Sequence, residues 1–334
     1  MLLELLQQNL YVFYLIGIMI CTGIIKEFNL FSGIYNSIIS KVKNKKIVVA
    51  LISAISGVLP IPGRNIVSAG LLDTCAGEDP KKRSKFGLIN YLATHHWYLW
   101  SPIEKTILIP MAALSLTYWQ VFQFTFPFLI GYLLYFTWFL TFKIKQEDIQ
   151  IVKIENGNKM HWLNIVPLLA GIGAVICGFN PWYIFLIIAA IYMLLTKTFN
   201  IKKIVSYVDW KLVLLLIGII TVSFYIQTYS ANLIEYIKTI QNHFVLTSVV
   251  ALLISFILGS SAKFAGIVVM LSTIFGLPYF AYFFGIEYIG YLISPTHKCV
   301  PIAIKYFNTS IKQFTWIIGG LCLIIFTISL LSLL

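Results

Sequence analysis

Six long apolar runs constrain the fold of this chain more than any other feature of its sequence. They occupy residues 9–25, 121–142, 163–178, 181–196, 211–229 and 311–333. Several exceed the roughly 18 residues with which a helix crosses a hydrocarbon core about 30 Å thick. Only 11% of the side chains are charged, against about a quarter in a typical soluble domain. The sequence therefore predicts an all-α polytopic membrane protein, and it excludes an ordinary soluble enzyme, a disordered chain and a disulfide scaffold.

The basic residues indicate how these spans are oriented. The chain has 24 Lys and Arg against 12 Asp and Glu. Most of the cations fall in short segments between spans, at residues 26–46, 81–85, 143–159, 197–211 and 305–312. Basic loops stay on the cytoplasmic side of a membrane, so we interpret this charge as a topology signal and not as a nucleic-acid surface. We predict a multi-pass plasma-membrane protein with cytoplasmic basic loops and both termini outside.

The cysteines carry no metal or disulfide signature. Five of them are scattered along the chain and form no C-x-x-C pair, the spacing that often marks a zinc or redox site. We therefore predict neither a disulfide framework nor a zinc site, and no cofactor. The five residues are Cys21, Cys75, Cys177, Cys299 and Cys322.

An internal repeat divides the chain into two halves. Three motifs recur in the same order at offsets of 193 to 201 residues: LIGI at 15–18 and 216–219, VVALISAISG at 48–57 and VVALLISFILG at 249–259, and YLWSPIEK at 98–105 and YLISPTHK at 291–298. The sequence thus predicts repeat 1 in residues 1–145, repeat 2 in residues 207–334, and two linking helices within residues 146–206.

The two repeats are predicted to be inverted. With the basic loops in the cytoplasm, span 9–25 runs inward, whereas its counterpart at 211–229 runs outward. Inverted repeats that contain broken helices are typical of secondary transporters, whose substrate site lies where the repeats meet.

Each repeat also contains a pair of apolar segments that are too short to cross separately. These pairs lie in residues 46–76 and 245–277, where prolines and glycines interrupt the apolar pattern. We predict that each pair forms a re-entrant hairpin with its tip near the middle of the membrane. Residues 29–42 and 231–243 show mixed periodicity and are predicted to lie along the two interfaces.

Two further segments, 86–118 and 280–308, are each long enough to cross once but carry a Ser-Pro pair, Ser101–Pro102 and Ser294–Pro295. Proline lacks an N–H and clashes with the preceding turn, so each helix is predicted to split there. Unwound backbone at that depth is tolerated only where it lines a cavity or is buried in protein. With these two broken helices, the predicted number of membrane crossings is eight.

At these residues the sequence resembles the ion transporter superfamily, whose members carry arsenite, gluconate, citrate and dicarboxylates. It is most similar to an uncharacterised integral-membrane family within that clan, through L-P-x-P-G at 59–63, INY and H-x-W within 89–97, and SP-x-H-x-C at 294–299. Arg64 stands where families similar to this one carry a second glycine. The resemblance implies two hairpins and two broken helices around one substrate and its coupling ions, and it implies a homodimer.

Two cations, Arg64 and Lys263, lie at equivalent positions of the two hairpin tips. A charge at that depth is costly without a partner, and the ends of half-helices add positive potential. We therefore expect a small-molecule anion to bind between the tips and the Ser-Pro breaks. The alternatives remain that Arg64 pairs with Glu104 and Lys263 with Glu287, and that the hydroxyls at the breaks only cap helix ends. The predicted substrate-binding residues are Pro62, Gly63, Arg64, Asn65, Ser101, Pro102, Gly259, Ser260, Ser261, Lys263, Ser294, Pro295 and Thr296.

Glu104, Glu287 and His297 flank the breaks and are the predicted carriers of a coupling cation, H⁺ or Na⁺. Removal from water disfavours the charged form of a carboxyl group, and histidine titrates near physiological pH. The alternatives are structural salt bridges for the acids and a hydrogen-bonded packing role for the histidines. His95 and His96 are adjacent and so face different sides of a helix, which argues against a metal site shared by the two.

Together these features predict a secondary active transporter that moves a small anionic solute by alternating access. Its predicted partners are the solute, the coupling cation, the lipid bilayer and a second copy of the chain. A channel-like or structural membrane protein and an intramembrane enzyme are the alternatives. We expect no enzyme, because the sequence lacks G-x-S-x-G, H-E-x-x-H and paired aspartates within spans.

Overall fold

The computed structural model describes residues 10–28, 32–58, 64–151, 166–229 and 243–334. Every regular element within these ranges is helical. The all-helical architecture expected from the sequence is therefore confirmed for this part of the chain.

Sixteen α-helices follow one another within the described ranges. Those of the first 145 residues are α1 (Tyr11–Glu27), α2 (Ser32–Lys41), α3 (Lys45–Gly57), α4 (Arg64–Ala76), α5 (Pro80–His95), α6 (Lys105–Ala113) and α7 (Tyr118–Phe142). The next three are α8 (Val166–Ile176), α9 (Pro181–Thr196) and α10 (Ile201–Ser206). The remainder are α11 (Trp210–Tyr229), α12 (His243–Leu258), α13 (Ser261–Phe275), α14 (Phe280–Ile293), α15 (Cys299–Phe307) and α16 (Ile311–Leu331).

Among the described helices, α7 and α16 are long and apolar enough to cross a bilayer by themselves. Six further apolar helices of 10–17 residues lie within α1, α8, α9, α11, α12 and α13. Large apolar side chains face outward from the long helices, with Leu134 67% and Trp316 81% exposed. An apolar exterior of this kind fits contact with lipid, and the fold is consistent with a helical membrane protein.

Both Ser-Pro pairs interrupt a helix. After α5, a 3-10 turn covers His96–Leu99, and the next helix begins only at Lys105. Likewise, α14 ends at Ile293 and α15 begins at Cys299. The residue before a proline is disfavoured in helical conformation, and Ser294 accordingly has φ −62° and ψ 125°.

The helix pairs predicted to form hairpins pack in different ways. The first pair, α3 and α4, packs together and against α5. In the second pair, α12 packs mainly on α14, whereas α13 packs on α6 and α14. The tip residues 59–63 of the first pair lie outside the described residues, as do residues 231–242 of the predicted interfacial segment.

The two linking helices differ in how well the sequence predicts them. One is α9, which has the predicted bounds and packs against α1. The other was expected over residues 163–178, but its described part, α8, ends at Ile176. Gly178 follows with φ 88°, a left-handed conformation that glycine adopts readily and that commonly ends a helix.

Ion pairs connect the basic segments to neighbouring helices. Lys85 Nζ in α5 lies 2.8 Å from Asp148 Oδ2, and Lys203 in α10 pairs with Glu27 at the end of α1. Burial raises the pKa of the Asp148 carboxyl, but hydrogen bonds from Lys85 and from the Lys145 backbone, with nearby lysine charges, outweigh it and leave this pKa below its usual value. The Asp148 carboxylate therefore favours the folded state at neutral pH.

Candidate functional site

The two helix breaks meet inside the buried core. The Tyr291 hydroxyl donates to the Tyr98 hydroxyl over 2.9 Å, and the Tyr288 hydroxyl donates to the backbone carbonyl of His95 over 3.0 Å. The members of each pair are 193 residues apart in the chain, which is the offset between the two Ser-Pro motifs. Positions that correspond in sequence therefore touch one another at this site.

Two histidines face each other beside these tyrosines. His95 is 0% and His297 3% exposed, and their Nε2 atoms lie 3.3 Å apart. The Tyr91 ring stacks on His95 with centroids 3.9 Å apart, and the Tyr291 ring stacks on His297 at 4.0 Å. Each imidazole is thus held by a tyrosine from its own half of the chain.

Cys299 lies close to both histidines. Its Sγ and one ring nitrogen of each of His95 and His297 all lie within 4.8 Å of one another, and we call these three residues the His–Cys cluster. His96 takes no part in it and instead accepts a hydrogen bond at Nδ1 from Trp100 Nε1 over 3.0 Å.

Hydroxyl groups satisfy the unwound backbone of the first break. The Tyr14 hydroxyl donates to the Pro102 carbonyl over 2.7 Å. The Tyr118 hydroxyl donates to the Trp100 carbonyl over 2.8 Å, and the Thr106 hydroxyl donates to the Tyr98 carbonyl over 2.5 Å. Such pairing is required where water cannot reach the backbone. Ser101 Oγ is fully buried and has no hydrogen-bond partner among the described residues, so this hydroxyl does not cap a helix end.

The second break closes on the end of α12. The Ser294 hydroxyl donates to the Phe256 carbonyl over 2.5 Å, and the Thr296 hydroxyl donates to the Ile257 carbonyl over 2.7 Å. These two hydroxyls therefore cap the end of α12 and not the ends of the broken helix itself. Gly259 follows α12 with φ 53°, and a Cβ atom at that position would lie only 2.5 Å from Thr296 Oγ1.

The other predicted contact residues around the breaks differ in exposure. Pro102 is buried, whereas Pro295 is exposed. Ser260 and Ser261 are half-buried at the beginning of α13. The first break is therefore enclosed, and the second is open on one side.

The structure describes the side chain of one of the two predicted cations. Lys263 is exposed in the first turn of α13 and forms no ion pair with a described residue. The alternative that pairs it with Glu287 is wrong, because the Glu287 carboxyl group has no such partner. Arg64 is the first residue of α4, but the side chains of Arg64 and Asn65, and all of Pro62 and Gly63, lie outside the described part.

The two predicted ion-coupling acids are buried in different surroundings. Glu104 is 2% exposed, lies at the N-cap of α6 and donates its backbone N–H to the Ser101 carbonyl over 3.0 Å. Glu287 is 0% exposed within α14, and neither carboxyl oxygen has a hydrogen-bond partner among the described residues. The nearby Ser255 hydroxyl donates to the Glu287 backbone carbonyl over 2.8 Å. A charged carboxylate in such surroundings is costly.

Sequence reasoning missed several residues that build this site: Tyr91, Tyr98, Tyr288, Tyr291 and Cys299. A signal was present, since the repeated YL-x-SP motif contains Tyr98 and Tyr291 at matched positions. Cys299 closes the SP-x-H-x-C motif, but no spacing rule joins it to a histidine about 200 positions away. Only the meeting of the two breaks brings these side chains together.

Comparison with known proteins places the chain in a family. No curated protein matches it. Residues 5–333 match the family described as "Protein of unknown function (DUF401)". This match extends through both halves of the chain, both helix breaks and the His–Cys cluster. The chain therefore belongs to the DUF401 family.

Proposed function

We propose that this protein is a secondary active transporter related to the ion transporter superfamily, and that it moves a small anionic solute by alternating access. The observation that carries the proposal is the contact between positions matched by the repeat, Tyr98 with Tyr291 and His95 with Tyr288. Two halves related by a two-fold axis would bring such positions together at that axis. In inverted-repeat transporters the substrate site lies at this meeting point, next to broken helices.

The proposed setting is the plasma membrane, with eight crossings, re-entrant hairpins, cytoplasmic basic loops and both termini outside. The apolar exterior of α7 and α16 supports lipid contact. Single cysteines at Gln150 and Asn200 test the topology. We expect an impermeant maleimide to label them only after the cells are permeabilised. Labelling from the outside of intact cells would contradict the proposed orientation.

The anion is proposed to bind between the starts of α4 and α13. Arg64 is the first residue of α4, and Lys263 lies in the first turn of α13. Backbone N–H groups at a helix N-terminus attract anions. The positive charge of each cation adds to this attraction at the start of its own helix. Lys263 has no ion pair among the described residues, and Ser101 Oγ has no hydrogen-bond partner there. An anionic solute would supply a partner for both groups.

Glu287 is the proposed carrier of a coupling proton. Its carboxyl group is fully buried without a hydrogen-bond partner among the described residues, and proton binding removes the cost of burying its charge. The same α14 helix ends at the second break. Protonation of Glu287 and movement of that break would therefore occur in one rigid element.

Alternating access is proposed to move the hairpins and broken helices as one bundle against a scaffold that includes α1 and α7. Elements of each half contact the broken helix of the other half, since α13 packs on α6 and α15 packs on α5. Such crossed packing would make the two broken helices move together. A homodimer formed through the scaffold is proposed from the superfamily resemblance. Measuring the mass of the assembled protein in native membranes tests this proposal.

Thermal-shift screening of the purified protein with small carboxylates, phosphates and oxyanions is the direct test. We expect one anion class to raise the melting temperature and to be taken up by proteoliposomes with saturable kinetics. Flux that does not saturate would favour the channel alternative. Chemical conversion of the bound compound would favour the enzyme alternative.

A further inference from the structure

Hydrogen bonds determine which nitrogen of each imidazole in the His–Cys cluster carries the hydrogen. His95 Nδ1 lies 2.6 Å from the backbone carbonyl of Tyr91, and His297 Nδ1 lies 3.2 Å from that of Tyr291. A carbonyl oxygen can only accept a hydrogen bond. Each Nδ1 therefore donates to it, and the hydrogen of each neutral ring is on Nδ1.

The hydroxyl neighbours of the two Nδ1 atoms agree with this assignment. Thr94 Oγ1 lies 3.1 Å from His95 Nδ1, but it donates its own hydrogen to the carbonyl four residues earlier, over 2.7 Å. Tyr91 Oη lies 3.3 Å from His297 Nδ1 and donates its hydrogen to the Leu292 carbonyl over 2.7 Å. Both hydroxyls are thus left to accept from Nδ1. In both neutral rings the lone pair of Nε2 then faces the other ring.

Two Nε2 lone pairs at 3.3 Å repel each other unless a cation lies between them. Zinc–nitrogen bonds are about 2.0–2.1 Å long, so two nitrogens of a tetrahedral zinc site lie about 3.3–3.4 Å apart. The observed separation of the two Nε2 atoms matches this distance. Cys299 Sγ lies within 4.8 Å of a ring nitrogen of each histidine, and a cysteine thiolate is a ligand of the kind that zinc prefers.

We propose that His95 Nε2, His297 Nε2 and Cys299 Sγ bind a transition-metal ion of the Zn²⁺ class. Imidazole and thiolate ligands select such an ion over Mg²⁺ or Ca²⁺. The carbonyl acceptors on both Nδ1–H groups are the outer contacts that commonly orient metal-binding histidines. The ion enters through the second break, where Thr296 and Lys298 are exposed and Cys299 is half-buried.

The bound ion joins the two halves of the chain. His95 is the last residue of α5, whereas Cys299 begins α15 and His297 precedes it. The ion therefore holds the two broken helices together at the point where they meet. None of its three ligands belongs to the proposed anion pocket, so the metal site goes beyond the transport proposal and stands without it.

Metal loading of the full-length protein, purified in detergent without any solute, tests this site. The protein is stripped with a chelator and reloaded with Zn²⁺ or Co²⁺. We expect one tightly held ion per chain, and we expect the Co²⁺ form to show the near-ultraviolet charge-transfer absorption of a cobalt–thiolate bond. A wild-type protein that retains neither ion would overturn the proposal and leave a shared proton between the two rings.

Three variants assign the ligands. Cys299→Ser should abolish the cobalt–thiolate band and weaken Zn²⁺ binding at least about tenfold, and His297→Gln should weaken Zn²⁺ binding to a similar degree. Cys21→Ser is the control, because Cys21 is a buried cysteine of α1 that lies outside the cluster, where its Sγ contacts the Phe185 carbonyl. An unchanged cobalt spectrum in Cys299→Ser would overturn the proposal. If Cys299→Ser does not fold, the wild-type spectrum decides, since a Co²⁺ form without a thiolate band excludes Cys299 as a ligand.

Discussion

At the scale of single residues, the hydroxyl and carboxyl groups at the breaks separate into two sets. Tyr14, Tyr118 and Thr106 donate to unwound carbonyls, so their contribution is to the stability of the break. Ser101 and Glu287 are equally buried, but their side-chain oxygens have no hydrogen-bond partner among the described residues. Each buried polar group without a hydrogen-bond partner lowers the free energy of unfolding by about 1–3 kcal/mol. The second set, Ser101 and Glu287, is the one for which we propose binding of the solute and of the proton.

Glu287→Gln tests the proposed proton carrier. The amide keeps the shape of the side chain but cannot take up and release a proton, so solute uptake should no longer respond to an imposed pH gradient. The melting temperature should stay close to that of the wild type, because no hydrogen bond between the carboxyl oxygens and a described residue is lost. Uptake into proteoliposomes with and without the gradient measures the effect. Glu147→Gln, at an exposed acid that follows α7, is the control, and a full gradient response in Glu287→Gln would remove Glu287 from the mechanism.

At the scale of helices and turns, local sequence determined much of what was predicted. The length of the apolar runs correctly predicted α7, α9 and α16, and the prolines of the two Ser-Pro pairs correctly predicted the positions of the breaks. The predicted end of the helix at 163–178 was too late, because hydrophobicity continues to Cys177 while the conformation of Gly178 stops the helix. Packing between helices left no such local signal. The sequence therefore could not show that α13 packs on α6 and not along α12.

Gly259→Ala tests the turn that joins α12 to α13. The left-handed φ of 53° and the 2.5 Å approach of a Cβ atom to Thr296 Oγ1 should together lower the free energy of unfolding by about 2 kcal/mol or more. Thermal unfolding in detergent measures the change. Gly218→Ala in α11 is the matched control, because a Cβ atom there meets nothing within 4 Å and should be neutral or slightly stabilising. Equal melting temperatures for the two variants would show that the turn tolerates a side chain.

Lys85→Met tests the ion pair between α5 and the segment that contains Asp148. The pKa of Asp148 is lowered in the folded state, so its contribution to stability is present above the unfolded pKa of about 3.9 and is lost as the pH falls through the lower, folded value. The variant should lose about 1–2 kcal/mol at pH 7 and little at a pH below the folded value. Melting temperatures of wild type and variant across this range measure the difference. A penalty that does not shrink in acid would show that Lys85 acts through packing and not through charge.

At the scale of the whole molecule, the candidate site depends on contacts between distant parts of the chain. The repeated YL-x-SP motif made it possible to predict that two breaks exist, but not that Tyr98 and Tyr291 would touch. The sequence could not predict that the His–Cys cluster forms, because its side chains come from opposite halves of the chain and have no spacing signature. The exposure of Lys263 also depends on tertiary packing, since burial of its helix could not be judged from a short apolar pattern. Long-range geometry therefore decides the chemistry of the site.

Solute exchange by proteoliposomes that contain Arg64→Gln or Lys263→Gln shows whether the two cations bind the anionic solute. Charged hydrogen bonds are typically worth ~1.5–3 kcal/mol, so each variant should bind the stabilising anion more than about tenfold more weakly. The wild type should exchange labelled for unlabelled anion across the membrane with saturable kinetics, and both variants should keep the wild-type melting temperature. Unchanged affinity together with a collapsed melting temperature would contradict the account, because both cations would then serve the fold and not an anionic solute.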